Sequence, residues 1–319
     1  MEKQYVVGVD VGGQTTKIGV VDARGDVLAQ TVIRSDTFGA DADAYIAALA
    51  EAIKGVIKDA GKEGEVRGIG VGAPNGNHYT GSIAYAPNLA WAANGSVDFA
   101  NKLTEKVGVP VSLTNDANAA AVGEMTYGAA RGMKNFIMIT LGTGVGSGII
   151  VNGDLVYGHD GFAGELGHTN VVRHNGRVCG CGKQGCLEAY CSAIGVAKTA
   201  RDWLEMSNEE SLLRDVENIT SKDVYDAAKK GDALALRVFD YTGTLLGRSF
   251  ADFVAFSAPE AIVLFGGLAR SKEFLYEPMK KAMEDNLLQI WKGKVKILFS
   301  QLKESDAAIL GASALAWEL

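Results

Sequence analysis

The sequence predicts an α/β protein of two related parts, and three observations carry that expectation. Short apolar runs alternate with longer stretches of helical periodicity, as in layered α/β proteins. Two of the runs lead into glycine-rich loops and then a second strand. This plan of strand, glycine loop, strand and turn occurs twice, starting at Tyr5 and again at Phe136.

In chain order, Tyr5–Val11 reads as a buried strand, Gly12-Gly13 as a loop, and Lys17–Asp22 as a strand turning at Arg24-Gly25. Asp41–Ala60 predicts a helix, because Tyr45, Ile46, Leu49, Ile53, Val56 and Ile57 recur at helical spacing and Gly61 ends it. Val66–Val71 is a strand; Ser96 caps a helix that stops at Gly108; Val109–Leu113 is a strand feeding a helix at Asn115-Asp116. Phe136–Leu141 and Ile149–Val151 repeat the opening plan, with a turn at Asn152-Gly153. Leu187–Met206, Ser221–Lys230 and Asp232–Phe256 read as helices. Ala261–Phe265 is a strand ending in Gly266-Gly267 before a helix start, and Lys294–Ser300 is a last strand before a helix from Ser305. The expected division is an N-terminal α/β lobe over 1–117 and a larger lobe over 118–304, with the closing segment 305–319 packing back on the first and a cleft between the lobes.

At 319 residues and 47% hydrophobic, the chain can bury a large core. A net charge of −7 argues against a dedicated nucleic-acid surface, which needs a basic face. The opening MEKQYVVGVD has no signal-peptide apolar core, and the uncharged run Asn135–Gly153 is broken by alternate glycines from Gly142 to Gly148, a loop and not a membrane span. The expectation is a cytoplasmic protein.

Two loops, DVGGQTTK (Asp10–Lys17) and LGTGVGSG (Leu141–Gly148), place glycines and hydroxyls between strands. Backbone N–H groups in such turns form anion-binding concavities. Neither has the G-K-[ST] ending of a Walker loop, and each leads into a strand, unlike the dinucleotide fingerprint. Gly12, Gly13, Thr15 and Lys17 in the first loop, and Gly142, Thr143 and Gly144 in the second, are candidate phosphate contacts. Asp10 suits a carboxylate that holds Mg²⁺ through water, and Gly266-Gly267 could let a nucleotide lie against the backbone. Asp116 stands at the carboxyl end of a strand, where α/β proteins hold ligands. Asn88, Asn115, Glu165, His168 and Glu188 supply directional hydrogen bonds suited to a polyhydroxylated ligand.

All four cysteines fall in CGCGKQGCLEAYC, Cys179 to Cys191. In a reducing compartment a metal site is a better reading than a staple. Four thiolates would serve zinc by count, but on a helix from Leu187 onward Cys191 lies roughly 140° around from Cys186 and points away. His168 and His174 remain as sources of a fourth ligand.

The residues also resemble the ROK family of sugar kinases and repressors along essentially the whole chain. The pieces are Asp10-Val-Gly-Gly, Asn115-Asp116-Ala-Asn-Ala, Leu141-Gly-Thr-Gly-Val-Gly, Gly164-Glu-Leu-Gly-His168, and Cys179-x-Cys181-Gly-x-x-Gly-Cys186-x-Glu188. The resemblance implies an actin/hexokinase-like, ribonuclease-H-like two-lobed ATPase fold with ATP as the donor. It implies Asp116 as general base and Asn88, Asn115, Asp116, Glu165, His168 and Glu188 as sugar ligands. It also implies structural zinc on His168, Cys179, Cys181 and Cys186, a knuckle over 168–186. Within the family, GAPNGNHYTG and APNLAW look most like bacterial glucokinases. The expected activity is transfer from ATP to the 6-hydroxyl of glucose, in a homodimer or homotetramer working in glycolysis. Fructose, mannose, N-acetylglucosamine or N-acetylmannosamine as substrate, polyphosphate as donor, and a sugar-sensing regulator are the alternatives. A repressor needs a DNA-reading domain, for which the strand beginning at Tyr5 leaves no room. Gln14 departs from the family's usual threonine, and a shifted hydroxyl could take over its contact. Metal removal is expected to harm the sugar-binding segments and to spare the glycine loops, which lie on other strands.

Overall fold

The structure is a computed structural model that describes residues 4–319. The described chain divides into two compact units, one of residues 4–134, 148–164 and 300–319, the other of residues 135–147 and 165–299.

In the first unit, β1 (Tyr5–Val11), β2 (Thr15–Asp22) and β3 (Val27–Arg34) form antiparallel hairpins. Helix α1 (Ala42–Asp59) leads to β4 (Val66–Gly72), which pairs parallel with β1. A two-stranded ribbon, β5 (Ser82–Ala84) with β6 (Ser96–Asp98), precedes α2 (Phe99–Val107) and β7 (Val111–Thr114), and α3 (Asp116–Tyr127) follows. The sheet order is β3-β2-β1-β4-β7. Tyr45, Ile46, Leu49 and Ile53 of α1 are fully buried in one core with Val7, Val9, Ile18, Ile69 and Val71 of the sheet.

The second set of strands is β8 (Phe136–Leu141), β9 (Val145–Val151) and β10 (Asp154–Leu155). After α4 (Glu188–Cys191), α5 (Ala193–Met206), α6 (Ser221–Lys229) and α7 (Ala233–Ser257) come β11 (Ala261–Phe265), α8 (Lys272–Asn286) and β12 (Lys296–Phe299). The order β10-β9-β8-β11-β12 repeats the first sheet's plan: third, second and first strand of the set, then two more, with β8/β11 and β11/β12 parallel.

The chain closes with α9 (Glu304–Ala314), which belongs to the first unit and lies on β1 and β4. Gly8 and Gly70 make this possible, since a side chain at either would overlap the carbonyls of Ile309 or Ala312 on α9. The division falls at 134/135, not at the expected 117/118. Helix α3 stays with the first unit because its Gly123 meets the backbone of Gly311 on α9, and residues 148–164 join it as Gly148 seats against Ala117, Asn118 and Ala121.

Three local readings need correction. Ser96 lies in β6, and Asp98 is the residue before α2. The helix read through Leu187–Met206 breaks at Ser192, whose side chain accepts the Gly195 N–H and starts α5 afresh. The sequence reading gave no strand at β3, an edge strand whose residues alternate between half-buried and exposed.

Candidate active site

The proposed ligand and catalytic residues divide between the units. Asp10, Gly12, Gly13, Thr15, Lys17, Asn88, Asn115 and Asp116 lie in the first; Gly142, Thr143, Gly144, Glu165, His168, Glu188, Gly266, Gly267 and the cysteines lie in the second.

In the first unit, Asp10 sits near the end of β1, opposite Lys17 of β2. Burial pushes its carboxyl pKa up to about 6, the negative charge of Asp116 adds to that rise, and Lys17 opposes it. The hairpin loop closes on itself through the Gly12 N–H to the Thr15 carbonyl at 3.0 Å. Gly13 presses on the loop carrying Asn88: a Cβ there would stand 2.8 Å from the Asn88 carbonyl oxygen. Of the two threonines after Gln14, Thr16 is fully buried and its hydroxyl is engaged by Tyr45 Oη at 2.6 Å and Ser35 Oγ at 3.0 Å. Thr15, by contrast, is half-buried. The Tyr45 ring stacks on Trp91, centroids 4.7 Å apart, so the hydroxyl chain behind the loop reaches the Asn88 segment as well. Tyr45 reads in sequence as one of a helical apolar repeat, and nothing in the spacing of Tyr45 and Trp91 signals this link.

Asn115 and Asp116 mark the passage from β7 to α3. Asn115 is the N-cap, and its Oδ1 accepts the Ala117 N–H at 2.8 Å, which leaves its amide NH₂ to donate elsewhere. The same N–H reaches Asp116 Oδ1 at 2.8 Å. Asp116 presents exposed surface, but a carboxyl can touch water and still be desolvated where protein fills most of its surroundings. That desolvation raises its pKa, and the Ala117 N–H partly offsets it.

In the second unit, the donor atoms of His168, Cys179, Cys181 and Cys186 all lie within 4.8 Å of one another. A hairpin shapes this knuckle: the Cys179 N–H donates to the Lys183 carbonyl at 2.8 Å and the Gly182 N–H to Cys179 at 2.9 Å. A bridge between Asn170 and Cys186 brings in the segment after His168, and Lys183 Nζ donates to the His168 carbonyl at 3.0 Å. His168 Nδ1 faces Cys179 Sγ at 3.7 Å. Cys191 is fully buried with its thiol towards the Thr242 carbonyl at 3.7 Å, and His174 is not in the cluster.

The second glycine loop is not independent of the knuckle, contrary to the sequence expectation. Glu188, two residues after Cys186, accepts the Val145 N–H on Oε2 at 2.9 Å, and its Oε1 lies 3.5 Å from Cys179 Sγ. The Ala193 N–H donates to the Gly142 carbonyl at 2.8 Å, and the Leu166 N–H to Ser147 Oγ at 3.1 Å. Segments on both sides of the cysteines therefore hold the loop. Gly142, Thr143 and Gly144 stand in this loop, and Gly266 packs on the Leu141 backbone at its entrance. Gly142 and Gly267 have open space where a side chain would stand. Glu165 precedes the short helix Leu166–His168 and receives the His168 N–H on its carbonyl at 3.1 Å.

Two sheets of one plan, each with a glycine loop after its first strand, define the actin/hexokinase-like two-lobed fold. The chain belongs to the ROK family, whose model matches residues 6–318. It is 38% identical to a glucokinase of Halalkalibacterium halodurans, across 89% of this chain and 86% of that protein. A glucokinase of Thermotoga maritima is 34% identical over 99% of this chain and 98% of its own length. Among solved structures, a ROK family glucokinase from Streptomyces griseus in complex with glucose and AMPPNP matches with a TM-score of 0.78 and 33% identity, covering 99% of this chain and all of that one.

Proposed function

We propose that this protein phosphorylates a hexose at its 6-hydroxyl with ATP, converting glucose to glucose 6-phosphate. The observation that carries the proposal is Asp116, a carboxyl placed where the parallel strand β7 passes into α3, its pKa raised by desolvation. Relatives named glucokinase, matched along nearly the whole chain, favour glucose among hexoses.

In this reading Asp116 accepts the proton of the attacking hydroxyl as the γ-phosphoryl group passes in line to it. Asn115 offers its free NH₂ to the sugar, and Asn88, Glu165 and His168 add further hydrogen bonds. Asp10 is a carboxyl raised by burial and by a like charge, so a divalent cation held there through water would relieve it. Bound Mg²⁺ would neutralise charge on the phosphates. The open glycines Gly142 and Gly267 leave room for the nucleotide.

Three thiols and one imidazole nitrogen gathered within 4.8 Å fit tetrahedral zinc. Four free cysteines suit a reducing compartment, which supports a cytoplasmic reading; no helix among the described residues is long and apolar enough to cross a membrane. Zinc bound there would be structural, fixing His168 Nδ1 and leaving Nε2 to a sugar hydroxyl. Cys179 would then be a thiolate that donates nothing, which frees Glu188 Oε1 for the sugar.

The test is coupled ADP release across a hexose panel, repeated with Asp116→Asn. Glucose should be the preferred acceptor, and the variant should keep glucose binding while kcat falls about 10²- to 10⁴-fold. A variant that retains a third of the wild-type kcat would reduce Asp116 to the start of a helix.

A further inference from the structure

Glu188 stands out because its carboxylate is tied to the loop read above as a nucleotide site. Oε2 takes the N–H of Val145, in the middle of Leu141–Gly148. The neighbouring Gly144 is closed off by the same oxygen, which a side chain at that position would overlap. Other amides of the loop are satisfied locally: Gly142 N–H donates to the Gly144 carbonyl at 3.0 Å and Gly146 N–H to Oγ1 of Thr140, on the strand before it, at 3.1 Å. The Val145 amide instead depends on a side chain 43 residues away, carried by the helix that follows the knuckle.

We propose that Glu188 is a positioning residue for the second glycine loop, setting its peptides for the nucleotide phosphates in addition to any contact with sugar. This rests on the reading of that loop as a nucleotide site. The physical basis is the anchoring of a glycine-rich turn, which has little side-chain packing of its own, by a charge-assisted hydrogen bond. Without it the Val145 N–H loses its partner, and the peptides on either side regain freedom that nucleotide binding must remove again.

The experiment is calorimetric titration of Mg²⁺ and AMPPNP into the wild type, Glu188→Ala, Glu188→Gln, Gly144→Ala and the Gly144→Ala/Glu188→Ala pair, with circular dichroism as a check on folding. Loss of a hydrogen bond to a charged group should weaken AMPPNP about tenfold or more in Glu188→Ala. Glu188→Gln should recover most of that, because its carbonyl oxygen can accept the same N–H. Gly144→Ala should weaken AMPPNP in the wild-type background but add little once the overlapping carboxylate is gone, a non-additivity that general destabilisation would not produce. AMPPNP affinity in Glu188→Ala equal to or tighter than wild type, or strictly additive effects in the pair, would overturn the proposal. Should Glu188→Ala not fold, unchanged AMPPNP affinity in Gly144→Ala would overturn it. A wild-type protein that binds glucose but no AMPPNP would instead remove the nucleotide reading itself.

Discussion

The two glycine loops follow one plan in sequence but are held in different ways. The first, Asp10–Lys17, is braced from behind by buried hydroxyls, Thr16 to Tyr45 and Ser35, and closed by its own Gly12-to-Thr15 hydrogen bond. The second, Leu141–Gly148, is held from outside by Glu188, Ala193 and Leu166, which flank the cysteine knuckle. The first loop also carries ionisable side chains at both ends, Asp10 and Lys17, and the second carries none. Repetition of a backbone plan therefore does not repeat its supports: one loop depends on the core of its own unit, the other on a site that could hold a metal.

The largest expected effect exploits the charge. Asp10 holds its proton up to about pH 6 in the folded protein, against an ordinary value of 3.8. The folded state thus binds the proton more tightly, so this group's stabilising contribution is present below about pH 4 and lost as pH rises through 6. A difference of that size is worth about 3 kcal/mol at most. Asp10→Asn should make the ligand-free protein more stable at pH 7 and flatten this part of the pH profile, measured by urea unfolding between pH 4 and 7. A variant that is less stable at pH 7 would contradict it.

Next comes the knuckle. Cys181→Ser should lose the metal, read by elemental analysis, and weaken AMPPNP about tenfold without altering the Asp10 contribution. Cys191→Ser should keep the metal; if it releases the metal while His168→Ala retains it, the ligand assignment fails.

Further effects should mark the supports of the first loop. Thr16→Val leaves the Tyr45 hydroxyl short of a partner in the core, worth about 1–3 kcal/mol in chemical denaturation; no loss would mean the hydroxyl chain does not brace the loop. Gly13→Ala should push the Asn88 segment away and raise the KM for glucose severalfold, with the KM for ATP changed less. A reversed pattern would assign Gly13 to the phosphates.

How far the sequence carried this account depends on where the information sits. β1 and β8 were legible to the residue because both are largely apolar runs within their sheets, interrupted in β1 by Asp10 near its end. β3 was not, since an edge strand with Leu28, Gln30, Val32 and Arg34 exposed has no such run. The break at Ser192 hid inside helical periodicity, because a cap is one side chain and the apolar pattern continues across it. In the site, motif residues could be named individually from local patterns. The partner of Val145 could not, because a bond from Glu188 spans 43 residues and exists only once both segments are folded.

The claim that the two loops have separate supports is tested most directly by amide hydrogen exchange on the folded protein with and without a zinc chelator. Chelation should speed exchange at Val145 and its neighbours about tenfold or more and leave the Gly12 and Thr16 amides unchanged. Equal acceleration in both loops, or none at Val145, would contradict the account.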